Sequence, residues 1–278
     1  MARTPEFMRR VKTERFIKQM ETQGSVPSVF ECSDGETWYI KHIGNNRQHV
    51  INELIGSSLL QFLDLPTPEI ALVEVVPDTV IDEEFDRKPP QGLAFGSKQL
   101  KGQSKSLDKR DLFQHQEMCK FAAPQALIGI VLFDIWVYNT DRAPHNPNVL
   151  VEEVGINSCR LVAIDHAVIF EDKEYSRMGR SMNNLPPTIE ESLISHPLYR
   201  DVHDSFGLFS YDEADRVLGR IENVTESELC DILKVIPVEW DVKDIEKESI
   251  IKHYLLLRKN LVRGFYQQLL EDAKIKIP

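Results

Sequence analysis

From Asn139 to Val151 the chain reads NTDRAPHNPNVLV, and from Leu161 to His166 it reads LVAIDH. A carboxylate (Asp141), two carboxamides (Asn146 and Asn148) and a second carboxylate (Asp165) thus surround two short apolar runs. Val149 to Val151 and Leu161 to Ile164 have the length and β-branched content of short strands joined by a turn. Asp165 ends the second run, where a strand can carry a carboxylate to the lip of a cleft. Upstream, Gln125 to Val137 is apolar almost all round, as expected of a helix buried in the centre of a helical layer. That helix delivers the chain to Asn139-Thr140-Asp141, so Asp141 is anchored to a rigid element. One carboxylate that orients a hydroxyl, with an Asn and a second Asp that share a divalent cation, is the set that phosphoryl transfer requires. Arg142 can steady this loop by pairing with carboxylates or with a transferred phosphoryl group.

The first third of the chain reads as strands with one helix. Val26 to Glu31 and Thr37 to Ile43 are β-rich runs flanking Ser33-Asp34-Gly35, and Asp-Gly between such runs signals a hairpin. On the second strand Tyr39, Lys41 and Ile43 share one face and Trp38, Ile40 and His42 the other. In Gln48 to Leu63, Ile51, Leu54, Ile55, Leu59, Phe62 and Leu63 recur at helical spacing, and Pro66 and Pro68 end the helix. Glu53 lies off that stripe. By itself it reads as a solvated helix residue; beside a strand Lys it can hold Lys41 extended as an ion pair. Glu69 to Val76 and Gly92 to Ser97 are further strands, separated by an acidic, Pro-containing loop from Pro77 to Pro90. Around Gly96 to Lys101 the character turns from strand-like to helical, which sets the expected boundary between the two halves.

Beyond Asp165, Glu171 to Tyr199 is polar and without clear periodicity. Tyr211-Asp212 begins a helix, Thr225-Glu226-Ser227-Glu228 is a capping box for another, and Glu246 to Ala273 reads as one long amphipathic helix. Met1 to Phe7 precede a second Met and read as a cloning remnant.

At 278 residues the chain can bury a substantial core, and its 42% hydrophobic and 28% charged residues are ordinary for a soluble enzyme. The formal charge of −11 argues against wrapping nucleic acid, which needs clustered Lys and Arg. No window approaches the roughly 18 apolar residues of a membrane span, and a cytoplasmic location is expected. Cys32, Cys119, Cys159 and Cys230 are scattered without CxxC spacing, so they read as buried small apolar residues and not as a zinc site or disulfide set.

The order Asp, five residues to Asn, strand, turn, strand, Asp resembles the catalytic loop and metal-binding Asp of the protein-kinase-like superfamily. The wording NTDR, NPNVLV and IDH, with YIKHI and INELIGSSLLQFLDLPTPEIALVEV upstream, resembles the HipA-like kinases over about residues 24 to 170. Eukaryotic kinases have His-Arg-Asp in the loop and Phe-Gly after the metal Asp; here His166 follows Asp165 and reads as a packed spacer. The resemblance implies an α+β, bilobal kinase-like fold, with a β-rich nucleotide-binding lobe over residues 8–98 and a helical catalytic lobe over 99–278. It implies ATP and Mg²⁺ as cofactors, a protein phosphoacceptor carrying Ser or Thr, and in some members a regulatory or antitoxin partner. In these terms Asp141, Lys41 and Glu53 are catalytic, and Asp165 binds metal with Asn146 or Asn148. Asn146 has the kinase spacing from Asp141, while Asn148 has the usual place directly before the strand. Lys41, Ser25, Ser28 and the segment with Phe95, Ser97 and Lys98 contact the nucleotide: the Gly24 to Ser28 loop over the phosphates, the Phe95 to Lys98 backbone against adenine. Ser25 and Ser28 are also candidate autophosphorylation sites. Two other readings stand beside a protein kinase: a nucleotide-binding pseudokinase that acts as an interaction module, and a kinase-fold enzyme acting on a lipid or small molecule or transferring AMP.

Overall fold

The computed structural model describes residues 8–20, 26–44, 46–82, 88–101, 104–107, 124–156, 158–178, 185–206 and 208–275. Its first part is a closed five-stranded barrel in the order β1-β2-β3-β5-β4, formed by β1 (Arg10–Gln19), β2 (Ser28–Cys32), β3 (Thr37–Lys41), β4 (Ile70–Val75) and β5 (Gly92–Lys98). Neighbours run antiparallel except β1 and β4, which close the barrel in parallel with Arg10 opposite Leu72. Phe30, Cys32, Trp38, Ile40, Ala71, Val73 and Ala94 form the interior cluster. Trp38 fits because Gly96 faces it: a Cβ there would meet Val73 Cγ2 at 2.4 Å and the Trp38 ring at 3.3 Å. The hairpin and both faces of β3 therefore form as the alternation predicts. β1 is an addition to the sequence reading. Arg10, Lys12, Glu14, Arg15 and Lys18 crowd it, and only Val11, Thr13 and Phe16 turn to the core, so its apolar signal is faint.

The outer face of the barrel carries Ile70, Leu72 and Phe95 into a second, larger cluster with helix α1 (Arg47–Phe62), helix α2 (Ala126–Val137) and the C-terminal helices. α1 is capped by Asn46, whose side chain accepts from His49 N at 3.2 Å. Every residue from Val50 to Leu60 is buried, so α1 is enclosed on all sides and its apolar stripe marks only part of its buried surface. α2 is buried along its whole length, as its sequence requires. It ends at Tyr138 in the left-handed region, φ 51°, and Asn139 N then donates to Asp134 O at 2.9 Å.

A second sheet, β6-β7-β8, comprises Ser104–Ser106, Val149–Gly155 and Ser158–Ala163. β6 corrects the expected turn to helix near residue 100. The three-residue strand exists because β7 offers an edge to pair with, a partner 44 residues away that local propensity cannot register. The polar stretch after Asp165 contains short 3₁₀ turns at Phe170–Asp172, Tyr175–Arg177 and Leu193–Ser195. α3 (Pro197–Phe206), α4 (Leu208–Glu222) and α5 (Glu226–Leu233) follow, so Tyr211-Asp212 lies inside a helix. The Thr225 and Glu228 capping box forms in both directions.

The expected single helix from Glu246 to Ala273 is broken into α6 (Asp244–Ile250), a π-helical turn (Ile251–Leu255), a short turn (Leu256–Arg258) and α7 (Val262–Asp272). The break follows from contacts with α2. Arg258, wholly buried, donates Nε to Trp136 O at 3.0 Å and Nη2 to Ile135 O at 2.6 Å, while Trp136 Nε1 donates to Leu255 O at 3.0 Å. These bonds satisfy carbonyls at the end of α2 that have no partner within the helix. Of the cysteines Cys32 is buried as expected, Cys159 is half-buried and Cys230 exposed; Cys119 lies outside the described residues.

Candidate active site

β3 and α1 place Lys41 and Glu53 against Asp165, two residues beyond the end of β8. Lys41 Nζ donates to Glu53 Oε1 and, at 3.1 Å, to Asp165 Oδ1. Glu53 is 2% exposed, and its second oxygen accepts from His166 N at 2.9 Å. Burial opposes the Lys41 ammonium, but the charges of Glu53 and then Asp165 outweigh it and hold the group protonated, with its pKa raised. Burial raises Glu53, opposed by Lys41. Asp165 is held ionised against its own burial, chiefly by Lys41. Asp165 stands at φ 54°, a conformation that Asp and Asn tolerate better than most side chains.

The contact between α1 and this carboxylate depends on Gly56. A Cβ there would lie 2.5 Å from His166 Cβ, so only a glycine lets the helix come this close. α1 also holds the chain beyond Asp165. Asn52 Nδ2 donates to Ala167 O at 2.7 Å, Tyr175 OH donates to Asn52 Oδ1 at 2.6 Å, and Gln48 Nε2 donates to Lys173 O at 2.7 Å. Between these anchors Phe170, Glu171 and Asp172 are all left-handed, at φ 63°, 61° and 51°. Each costs roughly 1 kcal/mol or more in backbone strain, which the α1 contacts offset.

The loop after α2 folds back on Asp141. Ala143 and Asn146 exchange two backbone hydrogen bonds of 3.1 and 3.0 Å, closing a tight turn through Pro144 and His145. Asn146 Nδ2 then donates to Asp141 Oδ1 and Asn148 Nδ2 to Asp141 Oδ2, each at 3.1 Å. Both amides thus grip one half-buried carboxylate, with Pro147 between them. Their Oδ1 oxygens are the hard donors that a divalent cation prefers. Ile164 N donates to Asn148 O at 2.9 Å, which ties this loop to the segment that leads from β8 to Asp165.

Arg142 steadies the loop as expected, through Asp134, a residue that spacing alone does not single out. Arg142 is wholly buried. It donates Nε to Asp134 Oδ1 at 3.0 Å, Nη1 to Asn148 O and to Ile164 O at 2.9 Å, and Nη2 to His166 Nδ1 at 2.9 Å. Of the two partners expected for it, the carboxylate is the one it takes. Asp134 Oδ1 also accepts from Asn139 Nδ2 at 3.1 Å, and burial pushes this carboxyl up to about 6 against the pull of Arg142. A single Asp inside an otherwise apolar helix, eight residues before an Arg, was the available signal. His166 is a buried neutral spacer: burial, then Arg142, hold its pKa well below 6.5, and its ring meets Phe133 edge-on at 5.8 Å.

The expected nucleotide contacts outside Lys41 fare differently. Ser25 lies outside the described residues, and Ser28 is 2% exposed on β2, opposite Ile40 and on the inward face with Phe30. Its hydroxyl is therefore turned into the barrel and away from a phosphate loop. Phe95 sits opposite Lys41 with its ring in the larger core. The Phe95 to Ser97 backbone is paired with β3 on one side and β4 on the other, so its edges are not open to a base. Lys98 turns to Glu36 at 2.9 Å and Glu69 at 3.2 Å, on the face opposite Lys41. Among the described residues no three His, Cys, Asp or Glu side chains gather as a metal cage, and no helix is long and apolar enough to cross a membrane.

The comparison with curated protein sequences gives no match. Among solved structures, the crystal structure of a Helicobacter pylori proinflammatory kinase, CtkA, superposes with a TM-score of 0.54 at 11% sequence identity, covering 97% of this chain and 100% of that one. At that identity the likeness establishes a shared fold. The sequence profile of the HipA-like kinases matches residues 13–269, nearly the whole chain and all of the site described above, and the protein belongs to the HipA-like kinase family.

Proposed function

We propose that this protein is an ATP- and Mg²⁺-dependent phosphotransferase whose acceptor is a Ser or Thr hydroxyl of a protein. We read the chain as two lobes, residues 8–98 and 99–278, with the reaction in the cleft between them and the enzyme in the cytoplasm. The observation that carries this reading is the position of Lys41, its ammonium held between Glu53 and Asp165 at the end of the strand to which the Asp141 loop is tied. Lys41 stays charged and extended, so it can meet phosphate oxygens as a fixed cation. Asp141 is gripped by two amides and can orient a hydroxyl toward an incoming phosphoryl group; in such reactions positioning carries most of the rate.

Asp165 with the Oδ1 of Asn146 or Asn148 fits Mg²⁺ by donor chemistry, since this ion takes one or two protein carboxylates and fills its remaining positions with phosphate and water. The bound ion would neutralise charge on the phosphates. Phosphate contacts in this reading come from Lys41 and the Gly24 to Ser28 loop. The formal charge of −11 favours a protein acceptor over an anionic lipid surface. A regulatory or antitoxin partner is part of the proposal only through the family.

The test is intact mass and ADP release after incubation with MgATP, for wild type and Asp141→Asn. Wild type is expected to release ADP or gain the mass of a phosphate, and the variant to bind nucleotide without turnover. Equal MgATP binding by both, with turnover by neither, would replace this reading with a nucleotide-binding interaction module. A mass gain of AMP would identify adenylyl transfer.

A further inference from the structure

We infer that Arg142, anchored by Asp134, is a positioning residue that sets Asp141 in register with Asp165, and that it acts on turnover and not on nucleotide affinity. This rests on the phosphotransfer reading above. Arg142 touches no place a substrate could reach, being wholly buried, yet its bonds end on three parts of the site. Nη1 reaches Asn148 O and, at 2.9 Å, Ile164 O; Nη2 reaches His166 Nδ1 at 2.9 Å; and Arg142 itself directly follows Asp141. Ile164 and His166 are the two neighbours of Asp165. One planar guanidinium therefore links both catalytic carboxylates, and Nε fixes it to Asp134 in the last turn of the buried helix α2. A fork with five N–H donors at fixed angles can span these partners, whereas an ammonium is a point charge that cannot.

The separation of effects follows from which ties are redundant. Asp165 is held twice. From the α1 side, Lys41 Nζ meets its Oδ1 at 3.1 Å, Glu53 Oε2 accepts from His166 N at 2.9 Å, and Gly56 packs on His166. From the loop side it is held through Arg142. Asp141 hangs on the loop: Asn139 Oδ1 accepts its N–H at 3.3 Å and the amides of Asn146 and Asn148 hold its carboxylate, while Asn148 is fixed to β8 through β7, whose Val149 pairs with Ala163, and by the bond from Ile164 N to Asn148 O at 2.9 Å. Loss of the guanidinium thus leaves Lys41, Glu53, Asp165 and, through the β7–β8 ladder, Asn148 in place, and lets the acceptor-orienting Asp141 carboxylate drift. A displacement near 1 Å costs about a hundredfold in rate.

Two variants test this. Arg142→Lys keeps the charge and loses the fork; the double variant Arg142→Gln with Asp134→Asn keeps a neutral, hydrogen-bonded pair of similar volume. For each, thermal melting reports folding, calorimetry with Mg²⁺ and a non-hydrolysable ATP analogue gives Kd, and ADP release with MgATP gives kcat. The expected result is folded protein, Kd within about threefold of wild type, and kcat lower by about a hundredfold or more in both variants. Wild-type kcat in either folded variant overturns the inference, because register then does not depend on the guanidinium. Parallel loss of affinity and kcat overturns it too, as does failure of both variants to fold, which would make Arg142 a stability residue. Failure of the phosphotransfer reading is seen separately, as absence of turnover in wild type, and removes this inference with it.

Discussion

Glu53 accepts the backbone N–H of His166 at 2.9 Å on the oxygen that does not face Lys41. The strand lysine, the helix carboxylate and the residue after Asp165 are therefore one hydrogen-bonded unit, and α1 cannot move without moving the carboxylate that would hold the metal. Glu53 thus does more than hold a lysine extended. It couples the position of a helix to the end of a strand 113 residues away in sequence.

Lys41→Met and Glu53→Gln should each lower nucleotide affinity or turnover while leaving the protein folded. Their effects should not add, because each removes the same contact. Coupling free energies between touching residues run about 0.5 to 3 kcal/mol, and a double-mutant cycle on kcat/KM measures this one. Strict additivity would show that the two side chains act independently.

MgATP at about 100 times its Kd should stabilise wild type by roughly 2.7 kcal/mol, or roughly 5 to 10 °C in Tm for a chain of this size. Asp165→Asn should lose most of that shift, since the amide keeps the left-handed backbone at φ 54° but gives up the charge. The comparison is a melt with and without MgATP for each protein. A shift that survives the substitution unchanged would remove Asp165 from the metal site.

Gly56→Ala should destabilise by about 1 to 3 kcal/mol, the usual cost of overpacking, because the added methyl lands 2.5 Å from His166 Cβ. Activity should fall further than stability accounts for, as α1 is pushed from Asp165. Gly219→Ala, in α4 with nothing within 4 Å of a new Cβ, is the control. It should be neutral or stabilise by up to about 1 kcal/mol through helix propensity. Chemical denaturation of both variants decides the matter.

The His42 contribution to stability should decline between about pH 6.5 and 4, offset in the same window by Asp134, whose carboxyl is raised to about 6 and so adds stability as pH falls. Burial pulls His42 down from 6.5 to about 4, and His166 and His196 are lowered in the same sense. A base whose folded pKa is depressed contributes stability that is present above its unfolded pKa and lost as pH falls through the folded one. For His42 that is at most about 3 kcal/mol, at about 1.4 kcal/mol per pH unit. His42→Gln should flatten part of the decline when urea midpoints are compared at pH 7.5 and 4.5. An unchanged slope would mean that folding does not lower the pKa of His42.

The order of the chemical groups, the alternating faces of β3 and the buried character of α2 were legible in the sequence, because each rests on local rules. A period of two separates Lys41 from Trp38 and Ile40, and an apolar run interrupted only by Asp134 leaves α2 no wet face. Spacing brought Asp141, Asn146 and Asn148 into one loop. It left open how the two amides divide, and the fold shows both on the same carboxylate.

Tertiary structure alone decided what the polar residues inside that framework do. Glu53 looks like a solvated helix position until the barrel and the segment after Asp165 enclose α1. Arg142 looks like a surface-loop cation until Asp134, Asn148, Ile164 and His166 surround it. β6 exists only because β7 presents an edge, and the C-terminal helix breaks only because Arg258 turns in to the end of α2. The physical reason is common to all four. Propensity and periodicity describe a residue's preference along its own chain, whereas the cost of burying a charge or a backbone carbonyl is settled by partners that arrive from 24 to 122 residues away.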